Sequence, residues 1–181
     1  SKWTSAVVSG GATATVQQDA GRGGTYAARL GSTISPGARA YLRKTFDDGH
    51  LEVQAVGWFN VQDEGLEGGN VPFFRFFDAD GERLASLYRQ NGNGRLDVNY
   101  SGEYKPTGKR VTLGTWHRLE LRAVVGQADR DVVEVWLDRV KVYETSQATL
   151  GTGPIESVQL GNETAAQAYT LVADEVVVTV R

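Results

Sequence analysis

Apolar and polar residues alternate along most of this chain in short segments, and glycine-rich punctuation separates them. A period of two is the mark of strands with one buried and one wet face. Residues 71–77 predict a strand, Asp78-Ala79-Asp80-Gly81 a turn, and 83–89 the returning strand. Asn91-Gly92-Asn93-Gly94 then tolerates the positive φ of a tight hairpin, and 95–100 completes a meander. A second block follows at 115–125, 132–137 and 140–143, with further strands predicted over 13–17, 26–30, 39–46, 51–61 and 155–160. Asp47-Asp48-Gly49 and Gly161 read as turns, and 169–180 as a long closing strand expected to pair near Trp3. No stretch of ~12 residues keeps a helical stripe. Roughly a dozen strands form two stacked sheets or a barrel. The fold class expected is an all-β sandwich.

Alternation also assigns faces. Leu51, Val53, Ala55, Gly57, Phe59 and Val61 share one side, opposite Glu52, Gln54, Val56, Trp58 and Asn60. Ala38, Ala40, Leu42 and Phe46 oppose Arg39, Tyr41 and Arg43. Leu119, Leu121, Ala123 and Val125 oppose Trp116, Arg118, Glu120 and Arg122, while Val133, Val135 and Leu137 oppose Glu134 and Trp136. Four strands thus carry an aliphatic side and a side that mixes arginine, acid and ring. A side that only met water would not need Tyr41, Trp58 or Trp136. The pattern predicts one groove in which rings stack on sugar faces and guanidinium forks bind hydroxyls or carboxylates. Its candidate carbohydrate-binding residues are Arg39, Tyr41, Arg43, Gln54, Trp58, Arg75, Tyr88 and Trp136.

Composition narrows the classes. A chain of 181 residues, 40% hydrophobic, suits one domain over 1–181. A net charge of −3 argues against nucleic acid, which needs a basic stripe. No apolar run approaches the ~18 residues of a membrane span. The absence of cysteine excludes disulfides and thiolate metal sites. Two histidines, His50 and His117, leave little room for a zinc triad or a serine–histidine–aspartate site. The absence of methionine predicts a piece of a longer polypeptide, and the parent expected is a secreted or surface protein. Fourteen arginines against five lysines favour an anionic polysaccharide as the partner. Oligomeric state is not legible.

Gly114-Thr115-Trp116-His117-Arg118-Leu119-Glu120-Leu121, followed by Val133-Glu134-Val135-Trp136-Leu137-Asp138 and Val140-Lys141-Val142-Tyr143, resembles the laminin G-like pattern. There a G-x-W-x-x-L-x-L strand leads into a V-x-V-x-L-D-G hairpin. Residues 155–161 and 171–176 resemble the last two strands of that family. Arg139 stands where the hairpin has glycine, which asks for a different turn. The resemblance implies a lectin-like, concanavalin A-like jelly roll. That fold carries polysaccharide-binding modules, adhesion domains, glucanases and lyases alike, so it does not settle activity. It also makes Asp174 a candidate ligand for a structural Ca²⁺ ion. Residues 63–70 and 78–82 are acidic loops with oxygen ligands of the kind Ca²⁺ takes, though an Asx turn accounts for the second.

Catalysis is tested against geometry. Glycosidases need two carboxyl groups ~5–9.5 Å apart. Glu134 and Asp138 share a face, but four strand residues put them about 13 Å apart. Family lyases resemble Arg39-Ala40-Tyr41-Leu42-Arg43 in having two arginines four apart, and they place Gln-x-His on a neighbouring strand. Gln54-Ala55-Val56 stands for that motif here, without the histidine. A tyrosine base (Tyr41, Tyr88 or Tyr100) would need an adjacent arginine. His117 reads as a satisfied core histidine. The expectation is therefore non-catalytic polysaccharide binding, with no catalytic residues; a polysaccharide lyase and an adhesion domain contacting protein are the alternatives.

Overall fold

A computed structural model of the chain describes residues 3–18, 20–126, 130–164 and 167–181. These form fourteen strands and no helix. In chain order they are β1 (Ser5–Ser9), β2 (Thr13–Gln18), β3 (Tyr26–Ser32), β4 (Arg39–His50), β5 (Glu52–Glu64), β6 (Asn70–Phe77) and β7 (Arg83–Gln90). They continue as β8 (Arg95–Tyr100), β9 (Glu103–Arg110), β10 (Trp116–Val124), β11 (Asp131–Leu137), β12 (Val140–Ala148), β13 (Ile155–Asn162) and β14 (Tyr169–Val180). A front sheet runs β1-β4-β13-β6-β7-β8-β9, and a back sheet runs β12-β11-β10-β5-β14-β3-β2. Neighbours in both are antiparallel, and the sheets pack face to face as a jelly-roll β-sandwich.

The aliphatic sides meet between the layers as expected, except at Leu51, which precedes β5 and is 53% exposed. Val53, Ala55, Phe59, Val61, Leu119, Leu121, Ala123, Val133 and Val135 are buried from the back sheet; Ala40, Phe74, Phe76, Val158 and Leu160 are buried from the front. Phe59 on β5 joins the layers, with its ring centroid 5.1 Å from Phe73 and 5.0 Å from Phe74 on β6. Offset and edge-on rings at this spacing gain more than their buried area alone. β6 is buried along its whole length, as a central strand covered on both sides must be.

Several expectations need correction. Asp47-Asp48-Gly49 lies inside β4 and is not a turn. The closing strand β14 pairs with β3 and β5, while the segment near Trp3 leads into β1 on β4. β1 and β9 were not expected; both are edge strands, and β9 carries Pro106 and Gly108, which blunt its pattern. At the β11–β12 hairpin Asp138 and Arg139 have φ of 51° and 73°, with Leu137 pairing Val140. Arg139 therefore adopts the left-handed conformation that glycine would have supplied in a two-residue primed turn.

The most consequential correction concerns sheet membership. β4 belongs to the front sheet, whereas β5, β10 and β11 belong to the back. The four mixed sides inferred from alternation point away from the core in two opposite directions.

Candidate functional site

Arg39, Tyr41 and Arg43 project from the outer face of β4, Arg75 from β6 and Tyr88 from β7, so the front sheet brings five candidates together. Gln54 and Trp58 on β5 and Trp136 on β11 lie on the outer face of the back sheet. There Gln54 donates to Glu120, the Arg22 guanidinium lies 3.5 Å above the Trp58 ring, and Lys141 sits 5.3 Å from the Trp136 ring. Those three side chains are engaged with their own sheet and share no surface with the front five.

β4 pairs with β1 and β13, so the glutamine that meets Arg43 is Gln159, not Gln54. Arg43 donates to Gln159 Oε1 from Nε at 3.2 Å and from Nη2 at 2.7 Å. Gln159 Nε2 in turn donates to Glu163 Oε2 at 2.5 Å. Arg75 is 1% exposed; its Nη1 makes an ion pair with Glu163 and approaches Asn162 Oδ1 at 3.5 Å. Burial pulls the Arg75 guanidinium below its ordinary value, with the Tyr88 hydroxyl opposing that shift. Arg83 Nη1 lies 3.5 Å from Glu163 Oε1 and donates to the Tyr88 hydroxyl at 3.0 Å, and Arg39 Nε donates to the Glu163 carbonyl at 2.7 Å.

Rings complete the face. Tyr88 lies between the Arg75 guanidinium, 5.1 Å away, and Tyr104 of β9, 5.6 Å away. Arg43 covers Phe77 at 4.6 Å and Tyr41 at 5.3 Å. Tyr104 is raised by burial and by Tyr88, so it keeps its proton at neutral pH. From Arg43 on β4 to Tyr104 on β9 the row crosses five strand spacings, about 24 Å.

Gly161 sets the local geometry. Its φ is +95°, and a Cβ there would lie 2.4 Å from the Ala40 carbonyl oxygen and 2.7 Å from a Leu30 methyl. Glycine alone fits, and the irregularity carries Asn162 and Glu163 beside Gln159 on the outer face.

Polar groups are rarely this buried on an outward face. Arg75, Ser86, Gln159 and Asn162 are all under 2% exposed. Arg75 Nε, Ser86 Oγ and Asn70 Oδ1 are buried with no hydrogen-bond partner. Each such atom costs about 1–3 kcal/mol unless something meets it. Sequence reasoning missed Gln159, Glu163, Arg83 and Tyr104. Ser157 and Gln159 did signal a polar side to their strand; nothing marked Glu163.

The other candidates have structural partners. Asp174 Oδ2 accepts the Arg22 N–H at 2.9 Å and Oδ1 accepts the Glu175 N–H at 2.8 Å. The carboxylate therefore pins the β2–β3 loop to β14, and no group of three acidic or histidine ligands occurs among the described residues. One carboxylate so engaged does not make the six-to-eight-oxygen shell of calcium. Asp78 Oδ1 accepts the Glu82 N–H at 2.8 Å, a bond that closes the β6–β7 loop across four residues and not the two of an Asx turn. Glu64 pairs with Arg89 and accepts the Gly92 N–H at 3.1 Å. His117 is satisfied by Asp138 Oδ2 at 2.8 Å from Nδ1 and Thr112 Oγ1 at 2.9 Å from Nε2, on the back sheet. A cavity of about 510 Å³ lies between the two sheets, lined by Trp3, Val16, Tyr26, Leu42 and Phe46 among others, away from the arginine row.

No protein-family model and no curated protein sequence matches the chain. Solved structures do match its fold. An endo-β-1,4-glucuronan lyase from the fungus Trichoderma reesei superposes with a TM-score of 0.81 at 16% identity, covering 99% of this chain and 91% of that one. The cellulose-induced protein Cip1 superposes at 0.74 with 16% identity over 95% and 87%. An alginate lyase of polysaccharide lyase family 7 superposes at 0.63 with 14% identity over 84% and 77%. The chain thus shares its β-sandwich fold with these structures.

Proposed function

We propose that the outer face of the front sheet binds an anionic polysaccharide, and binds it without cleaving it. Uronate carboxylates would meet the guanidiniums of Arg43, Arg75 and Arg83, and sugar faces would lie against Tyr41 and Tyr104, while Tyr88, 2% exposed, supports the floor beneath them. The observation that carries this reading is a row of arginines whose central member, Arg75, is buried with its Nε unpartnered beside an equally unpartnered Ser86 Oγ. An extended polar ligand supplies what that floor lacks. A ligand of this kind is met outside the cell, which is where the protein would act.

A second reading is β-elimination on the same ligand. It is favoured by the Tyr88 hydroxyl, held 3.0 Å from Arg83 beside Arg75, and by the lyases among the similar structures. A base would take the C5 proton, its electron pair would form the C4–C5 double bond, and the C4–O bond would break with its oxygen protonated. Arginines that neutralise the carboxylate acidify that proton. No histidine stands among the front-face residues named above, so a tyrosine would have to serve both as base and as acid.

Calorimetric titration of the protein with polyglucuronate, polymannuronate and a neutral glucan tests the first reading, which expects binding of the uronates alone. Chain ends carrying new unsaturated uronate, followed by ultraviolet absorbance, would show elimination. Binding of the neutral glucan with equal affinity would refute the anionic assignment.

A further inference from the structure

Glu163 occupies the place where the reading above would put a ligand's carboxylate. Its Oε2 takes Arg75 Nη1 and Gln159 Nε2, its Oε1 faces Arg83 Nη1 at 3.5 Å, and its own carbonyl is held by Arg39. These are the donors a uronate would use: one buried guanidinium, one amide and one half-exposed guanidinium. Yet Glu163 fills the seat incompletely. A carboxylate docked on an arginine fork takes two parallel N–H groups. Glu163 engages Arg75 through Nη1 and leaves Nε buried and unpaired, with Ser86 Oγ likewise unmet.

We propose that Glu163 is a built-in competitor: a tethered carboxylate that holds the anion seat of the front face and is exchanged for the carboxylate of the ligand. This inference rests on the anionic-polysaccharide reading and adds how that site is regulated. Because Glu163 follows β13 immediately, its effective concentration at the seat is high, and free ligand must outcompete it. The exchange keeps Arg75 compensated at both ends, which a buried cation requires. A neutral sugar cannot replace Glu163 without leaving Arg75 unpaired, so the same residue selects for charge.

Two measurements test it. In calorimetric titration with polyglucuronate, Glu163→Gln should bind about tenfold or more tightly than wild type, since a charge-assisted contact no longer has to be given up. A carboxyl-reduced, neutral form of the polymer should show no such gain. In thermal melts Glu163→Ala should be raised by added sodium acetate but not by sodium chloride at equal ionic strength, as the small carboxylate refills the seat; wild type should show no difference. If Glu163→Gln does not fold, Glu163→Asp, which draws the charge back by one methylene, should show the same gain. Equal or weaker polyglucuronate binding by the variant, with wild-type binding intact, overturns the competitor role and leaves the anionic-face reading standing. Failure of both folded proteins to bind any polyuronate overturns that reading and this inference with it.

Discussion

Arg43 and Gln159 face each other across the β4–β13 ladder, the guanidinium holding the amide oxygen at 3.2 and 2.7 Å. The bond orients the amide so that its nitrogen points at Glu163, and so passes the charge of an exposed-side arginine into a fully buried position. Arg43→Ala should weaken polyuronate binding about 10- to 100-fold, the range for losing hydrogen bonds to a charged group. Gln159→Ala should act similarly. The double variant should lose less than the sum, because the two side chains form one network. Additive losses in calorimetry would mean that they act separately.

Trp58 belongs to the other side of the sandwich, under Arg22. Trp58→Ala should leave polyuronate affinity unchanged and lower stability by about 1–3 kcal/mol, from a half-buried ring and its cation contact. Loss of binding in a variant with wild-type melting would return the ligand to the back sheet.

Two glycines with left-handed backbone make a matched test of the front face. At Gly68, φ +88°, an added methyl would meet nothing within 4 Å, whereas at Gly161, φ +95°, it would meet the Ala40 carbonyl and Leu30. Gly68→Ala should cost about 1–2 kcal/mol from the backbone alone. Gly161→Ala should cost more than about 3 kcal/mol and abolish binding, because β13 and β4 must separate to admit the methyl. Denaturant melts of the pair would show the difference; equal losses would contradict the close approach.

Arg139 supplies the converse case, a side chain in a conformation suited to glycine, at φ 73° on an exposed hairpin. Arg139→Gly should stabilise the protein by about 1 kcal/mol by removing that strain. A lower melting temperature in the variant would show that the arginine contributes contacts outweighing its strain.

The dependence of stability on pH should fall off at both ends. Glu52 is held below its ordinary value first by the hydrogen bond from Arg122. Burial pushes Glu134 up, but the hydrogen bonds from Lys141 and Arg122 outweigh it and its net shift is downward. A carboxyl lowered in the folded state contributes stability that is present above its unfolded value and lost as pH falls through the folded one. Melting temperature should therefore drop below about pH 4.5. Tyr169 and Tyr143 are raised, mainly by burial, so their contribution is present below their ordinary value of 10.0 and lost as pH rises past it. Replacing Glu52 and Glu134 together by glutamine should flatten the acid limb; an unchanged limb would assign it to other carboxylates.

How much of this was legible in the chain differs by level. The period-two pattern located twelve of the fourteen strands and sorted core from surface correctly at Val53, Phe59, Leu121 and Val135. It missed β1 and β9, edge strands whose backbone is half unpaired and whose side chains need not alternate. Arg39, Tyr41 and Arg43 were visible as an outward set, and so were Trp58 and Trp136. Gln159 left a trace, a polar residue in the outward phase of an apolar strand. Glu163 left none, since a single acid after a strand is common.

What the sequence by itself determined was which way each side chain points relative to its own strand, because that depends on backbone geometry over two or three residues. Only the tertiary structure decided which strands lie side by side. β4 and β5 follow one another with almost no connection, yet they enter different sheets, so Arg43 and Trp58 face opposite directions. Arg43 and Gln159 are 116 residues apart and meet through a hydrogen-bonded ladder. Ladder partners are chosen by the best closure of two whole layers over one core, a property of all fourteen strands at once that no local pattern encodes.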